Sequence, residues 1–293
     1  MKVTGSAPPL LPLCRRLLPA GLAGVPRVPA ALLRATALEI AILAAHLVLY
    51  PSGIAQERPA RPALPEQDDG TARLPSDTGP PVVLLHGLVD NRSVFVLLRR
   101  SLARHGGGRQ RIESLNYSPL TRDIRTAAEL LGRHIEEICE RTGSARVDIV
   151  GHSLGGLIAR YYAQRLGGDA RVRTLVTLGT PHSGTRAVPL ADAHPVVRQM
   201  RPGSPVIEEL TRPAPGCRTR FVSFWSDLDH VMDPPEAARL DHPDLTVENV
   251  LVTGIGHLAL PVHPAVATRI RHALDADHPD TGTAPCADDL TVA

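Results

Sequence analysis

Gly151-His152-Ser153-Leu154-Gly155-Gly156 stands between the apolar run RVDIV (146–150) and a helical pattern from 154 to about 166. A G-x-S-x-G turn joining a strand to a helix is a nucleophile elbow: its glycines leave room where two backbones approach, and its serine hydroxyl is held exposed at the tip. Serine attacks poorly until a base takes its proton and a carboxylate orients that base. Of the thirteen histidines, His257 is the best placed, in GIGHLAL after the last strand-like run and 104 residues beyond Ser153. Gly254 and Gly256 let that loop turn back over the strand ends. His263 is the runner-up, but it precedes Pro264 at a helix start and reads as a cap or a solvent-facing residue.

The orienting acid is expected in SDLDHVMDP, beyond the strand that ends near Trp225, where Asp227, Asp229 and Asp233 compete. Asp229 is the first choice and Asp227 the second, because Asp229 has room to reach across the carboxyl edge of a sheet, where open α/β sheets bind ligands. Asp148 lies inside the strand before the elbow and reads as structural. A tetrahedral oxyanion also needs donors. The backbone N–H of Leu154, opening a helix, is one, and that of Leu88 in LLHGLVDN is the other.

These residues need a scaffold that brings strand ends together. VVLL (82–85), RIESLNY (111–117), RVDIV (146–150), VRTLVTL (172–178), TRFVSFW (219–225) and VENVLVT (247–253) read as strands. Helical spacing runs over 93–104, 121–141, 154–166 and 263–274. Six strands alternating with helices predict a three-layer α/β fold with a mainly parallel sheet.

Composition narrows the function. Thirty-two Lys+Arg against 30 Asp+Glu leave a net charge of +2, too balanced for a nucleic-acid footprint. The four cysteines, Cys14, Cys139, Cys217 and Cys286, have no C-x-x-C spacing, and the histidines no H-E-x-x-H pattern, so no catalytic metal and no cofactor are expected. A Cys139–Cys217 pair is conceivable only in an oxidising compartment, with free buried thiols the alternative.

The organisation divides into four parts. Residues 1–50 hold five basic side chains before residue 39 and a mostly apolar stretch at about 32–50. That stretch reads as a signal anchor crossing a membrane with its N-terminus inside, ahead of a cleaved signal peptide or an amphipathic helix lying on a membrane or on the protein body. Glu39 and His46, seven residues apart, share a helix face and would be costly in lipid unless paired or hidden in a contact. Residues 51–79, rich in proline, read as a stiff linker, 80–275 as an independent catalytic body, and 276–293 as a flexible tail.

HGLVDN, GHSLGGL with ARYYAQ behind it, LVTLGTPHSGT, SDLDHVM and GIGHLALP resemble, in that order, the bacterial lipases and esterases of the α/β-hydrolase superfamily. The resemblance spans about residues 80–274 and implies an α/β-hydrolase fold with Ser153 as nucleophile, His257 as base, Asp229 as acid and Leu88 and Leu154 as oxyanion donors. It also implies that His182, in Gly179-Thr180-Pro181-His182, shapes the acyl pocket, where His86 and His152 are further candidates. Only about 35 residues separate Gly184 from Arg218, which argues against a large lid. The expectation is a serine hydrolase of lipid or small acyl esters, attached to a membrane by its N-terminal helix with the catalytic body outside the cytoplasm, or else secreted. Acyl transfer, related acyl hydrolysis of phospholipids, thioesters or amides, and a non-catalytic membrane-tethered binding module are the alternatives.

Overall fold

A computed structural model describes residues 30–53, 79–88, 90–105, 111–117, 123–186, 194–276 and 290–291. Cys14, Cys286, the basic segment before Ala30, most of the linker and the tail residues 277–289 lie outside the described residues.

Among the described residues, seven parallel strands form one sheet in the order β2-β1-β3-β4-β5-β6-β7. They are β1 (Val82–Leu85), β2 (Ile112–Leu115), β3 (Val147–His152), β4 (Val172–Leu178), β5 (Arg220–Ser226), β6 (Thr246–Thr253) and β7 (Leu290–Thr291). The first six match the strand-like runs to within one or two residues. β7 falls in the segment expected to be a flexible tail: its two residues pair with Val252 and Thr253 and so cover the last two residues of the β6 edge.

Alternation along the strands separates two cores. Val83 and Leu85 join Ile149, Leu175 and Phe221 on one face, under α3 (Ile124–Thr142) and α4 (Leu154–Arg165). Val82 and Leu84 join Val150, Val176 and Phe224 on the other, under α2 (Val96–His105) and α7 (Pro264–Asp275). The near-continuous aliphatic strands are what a sheet covered on both faces requires. α3 shows the helix grammar in full. Its N-cap Asp123 accepts from the amides of Arg125 and Thr126, its buried stripe runs Ile124, Ala128, Leu131, Ile135 and Ile138, and Gly143 closes it in the left-handed region.

Between β4 and β5 lie two short helices that periodicity did not reveal, α5 (Pro195–Gln199) and α6 (Pro205–Thr211), each opening on proline after a capping residue. Asp148 is fully buried in β3 and accepts from Nε and Nη2 of Arg173, at 2.9 and 2.6 Å, which gives it the structural place expected of it. Cys139 and Cys217 are free thiols. Cys139 packs in the core from α3 as a small apolar residue, and that packing is what the pairing alternative would have had to displace.

The N-terminal helix α1 (Ala30–Gly53) is present over the predicted apolar stretch. Its span Leu32–Gly53, with a mean hydropathy of 1.8, has the length and composition to cross a membrane. In this structure α1 lies against the body instead of standing clear of it. The Asn91 side chain donates to Tyr50 O at 2.8 Å, and the Asn116 side chain donates to Gly53 O at 2.6 Å.

Candidate active site

Parallel strands all end on one edge, so the turns after β1, β3, β4, β5 and β6 converge there. β3 runs into α4 through a single residue, Ser153, whose φ of 53° and ψ of −119° make it the one non-glycine residue with positive φ among those described. Such a conformation costs on the order of 1–3 kcal/mol in a residue bearing a side chain and persists only where its surroundings over-determine it. Here the Ser153 amide donates to Leu178 O at 2.9 Å, and the buried Thr180 hydroxyl donates to Ser153 O at 3.0 Å. A side chain at Gly155 would place its Cβ 2.4 Å from Leu85 O, so α4 can sit this close to the end of β1 only through glycine.

The loops after β5 and β6 bring Asp229 and His257 together. His257 Nδ1 lies 2.7 Å from Asp229 Oδ2, and the two residues are 5 % and 1 % exposed. The other Asp229 oxygen accepts from the Val231 and Met232 amides at 2.9 and 3.1 Å, so one oxygen shapes its own loop and the other meets the imidazole. Asp227 and Asp233 are exposed. The Ser226 hydroxyl, at the end of β5, donates to Ile255 O and ties the two loops together. Gly179, at φ 53°, fits beneath them: a Cβ there would lie 2.9 Å from both Asp229 Oδ2 and His257 Nδ1.

Burial by itself works against an imidazolium at His257. The Asp229 charge and hydrogen bond override it, Glu39 and Asp90 add to their effect, and the histidine is held above its ordinary value. Burial would likewise raise Asp229, but His257 and the two loop amides bring it below the usual carboxylate range. The carboxylate therefore stays ionised and fixes the Nδ1–H tautomer, leaving Nε2 as the basic atom.

His152 lies beside His257, with ring centroids 4.7 Å apart, and its Nδ1 is 3.4 Å from Asp90 Oδ2. His86 is buried and stacks on Tyr117 at 4.2 Å, with its Nδ1–H directed at Gly87 O. His182 departs from its expected place. It is 3 % exposed, with Nε2 at Thr177 Oγ1 (2.9 Å) and Nδ1 facing buried Arg160, so the ring braces the interior and does not face an open acyl pocket. Burial and the Arg160 charge hold it well below the usual histidine range, hence neutral, while burial pushes Arg160 itself down to about 9. His263 caps α7, accepting from the Ala265 amide.

Leu154 opens α4 directly after Ser153, so its amide belongs to the first-turn N–H groups that lack an intrahelical acceptor. Leu88 follows β1 and is half-buried against the α3–α4 core. Sequence reasoning passed over Asp90, Thr180 and Gly179. Asp90 and Thr180 were visible inside motifs already singled out, HGLVDN and GTPHSGT, but only folding brings them beside the elbow. No group of three or more histidine, cysteine or acidic side chains is arranged to hold a metal among the described residues.

The alpha/beta hydrolase fold family matches residues 80–203. A triacylglycerol lipase of Pseudarthrobacter phenanthrenivorans is 29 % identical over 113 residues, covering 36 % of this chain and 34 % of that protein. A palmitoyl-protein thioesterase-dolichyl pyrophosphate phosphatase fusion of Schizosaccharomyces pombe is 32 % identical over 126 residues, covering 37 % of this chain and 18 % of that protein. The chain thus spans about a third of the length of one of these curated relatives and less than a fifth of the other. Among solved structures, Aspergillus fumigatus lipase B superposes with a TM-score of 0.63 at 18 % identity, over 82 % of this chain and 69 % of that one, which is a likeness of fold. The family match, the sheet order and these likenesses give the chain an α/β-hydrolase fold, similar over part of its length to a triacylglycerol lipase.

Proposed function

We propose that the chain is a serine hydrolase of carboxylic esters, with Ser153, His257 and Asp229 as its triad. The observation that carries this reading is the buried 2.7 Å contact between His257 and Asp229 on the same sheet edge as a serine held at positive φ. In this reading the Ser153 hydroxyl attacks the ester carbonyl while His257 Nε2 takes its proton, and the Leu88 and Leu154 amides receive the oxyanion. Collapse expels the alcohol, which takes the proton back from His257 and leaves an acyl-Ser153 ester. Water, deprotonated by the same imidazole, then attacks that ester and releases the acid. His152 and His86 would line the approach to the elbow.

The substrate class follows from the lipase relative and from α1. Leu33, Ile40, Leu43, Leu47 and Val48 are 59 %, 63 %, 48 %, 69 % and 80 % exposed, an apolar surface of the kind water does not favour. Lipid covers that surface in this reading, and acyl esters held in a lipid phase reach the site. A helix held along its length by the body cannot at the same time stand clear of it across a bilayer. The contacts therefore favour association along a membrane surface, and full insertion requires Glu39 and His46 to leave their partners.

The test is hydrolysis of p-nitrophenyl esters of two to sixteen carbons by the full chain and by Ser153→Ala, with fluorophosphonate labelling alongside. The expected result is labelling at Ser153 and a loss of at least about 10³-fold in kcat/KM in the variant. Absence of both labelling and turnover would overturn the reading.

A further inference from the structure

Helix α1 presents two ionisable side chains toward the body, and one of them meets the loop that carries His257. The two Glu39 carboxylate oxygens each accept a backbone hydrogen bond, Oε2 from Leu258 N and Oε1 from Ala259 N, both at 2.9 Å. These are the two amides that directly follow His257. The approach depends on the residue before the histidine as well, since a Cβ at Gly256 would lie 2.6 Å from Glu39 Cδ. One helical heptad further on, His46 is buried with Nδ1 4.0 Å from Asp90 Oδ1, and Asp90 in turn faces His152 beside the elbow.

We propose that Glu39 is a positioning residue of the catalytic site, delivered by α1, whose carboxylate clamps the main chain on which His257 is mounted. The proposal deepens the serine-hydrolase reading and rests on it for the role of His257. Two amides donating to one carboxylate make a charge-assisted pair of bonds that fixes both the position and the orientation of a loop. An imidazole needs that restraint: it must hold Nδ1 on Asp229 while Nε2 exchanges a proton with Ser153, and a displacement of about 1 Å is enough to cost on the order of 10²-fold in rate. The charge acts in the same direction as the geometry. His257 is faced by Asp229 from the loop after β5, Asp90 from the loop after β1, His152 from β3 and Glu39 from α1, and the three carboxylates all favour its protonated form. A body beginning at Pro80, expected to be independent, lacks this clamp.

The experiment compares the full chain with Glu39→Gln and Glu39→Ala. The base must be neutral to act, so kcat/KM rises with pH through the ionisation of His257. Removing the Glu39 charge lowers that ionisation, and the acid limb of the Glu39→Gln profile is expected to move to lower pH. In Glu39→Ala, kcat is expected to fall about tenfold or more with KM within about twofold. Hydrogen exchange at Leu258 and Ala259 is expected to quicken in Glu39→Ala while α3 stays protected. A variant that only lost packing would show lower stability without movement of the acid limb. An unmoved limb, or unchanged exchange at the two amides, overturns the proposal. The exchange readout decides the clamp even if the chain hydrolyses no ester, whereas fluorophosphonate labelling of Ser153 decides the hydrolase reading by itself.

Discussion

Helices α1 and α3 place their inward residues at the same three- and four-residue spacing, yet the chemistry of their faces is reversed. On α3 the inward stripe is Ile124, Ala128, Leu131, Ile135 and Ile138, and arginine and glutamate point outward. On α1 the inward line is Leu32, Ala35, Glu39, Ile42, His46, Tyr50 and Gly53, while leucine, isoleucine and valine point outward. α3 is therefore held by removal of apolar surface from water, which is non-directional and large. α1 is held by directed hydrogen bonds from Asn91 and Asn116 and through the Glu39 carboxylate, each worth about 0.5–3 kcal/mol net. Its outward surface gains nothing from the body and is suited to lipid. Burial stabilises the one helix, whereas the other is aimed by polar contacts at particular atoms of the site.

The contrast is open to attack at several depths. The largest effect is expected from Ile135→Ala on α3, which leaves a cavity in a fully buried position and should cost about 2–5 kcal/mol in denaturant unfolding of the full chain. A cost under about 1 kcal/mol would mean that α3 is held by something other than its apolar face. Next comes Asp123→Ala at the N-cap of α3, where loss of the bonds to the Arg125 and Thr126 amides should lower stability by about 1 kcal/mol and leave kcat/KM little changed. Smallest in stability is the double change Leu47→Ser with Val48→Ser on the outer face of α1. In buffer it should alter unfolding by less than about 0.5 kcal/mol, because both side chains already face water. Retention on liposomes should nevertheless fall by on the order of 10²-fold, the equivalent of withdrawing two apolar side chains from lipid at about 1.5 kcal/mol each. Equal retention would show that the outward face is not what meets the membrane.

How much of the site could be read in advance depended on how local its geometry is. The elbow is a contiguous device: Gly151, Ser153 and Gly155 carry their own backbone requirement, so the strand before and the helix after are enough to recognise it. Asp229 was harder to separate from Asp227, because a loop carboxylate two residues away has the same chemistry. The distinction lies in burial, one side chain turned inward onto His257 and the other exposed. His182 was misplaced for a related reason. Its motif sets it in the turn after β4, but whether the ring faces a pocket or the interior is set by Thr177 and Arg160, which belong to β4 and α4. The short helices α5 and α6 have too few turns for a periodic signal.

By itself the sequence determined the alternation of strands and helices, the serine turn and the placing of Asp229 and His257 just after strand-like runs, because each depends on residue types within a few positions of one another. It also held the anomaly of Glu39 and His46 on one face of an apolar helix, without a partner to explain it. Only the tertiary structure decided what that face meets. The Leu258 and Ala259 amides lie more than two hundred residues away along the chain. A hydrogen bond over such a separation depends on how strand ends and a distant helix are packed together, and no local pattern encodes that distance.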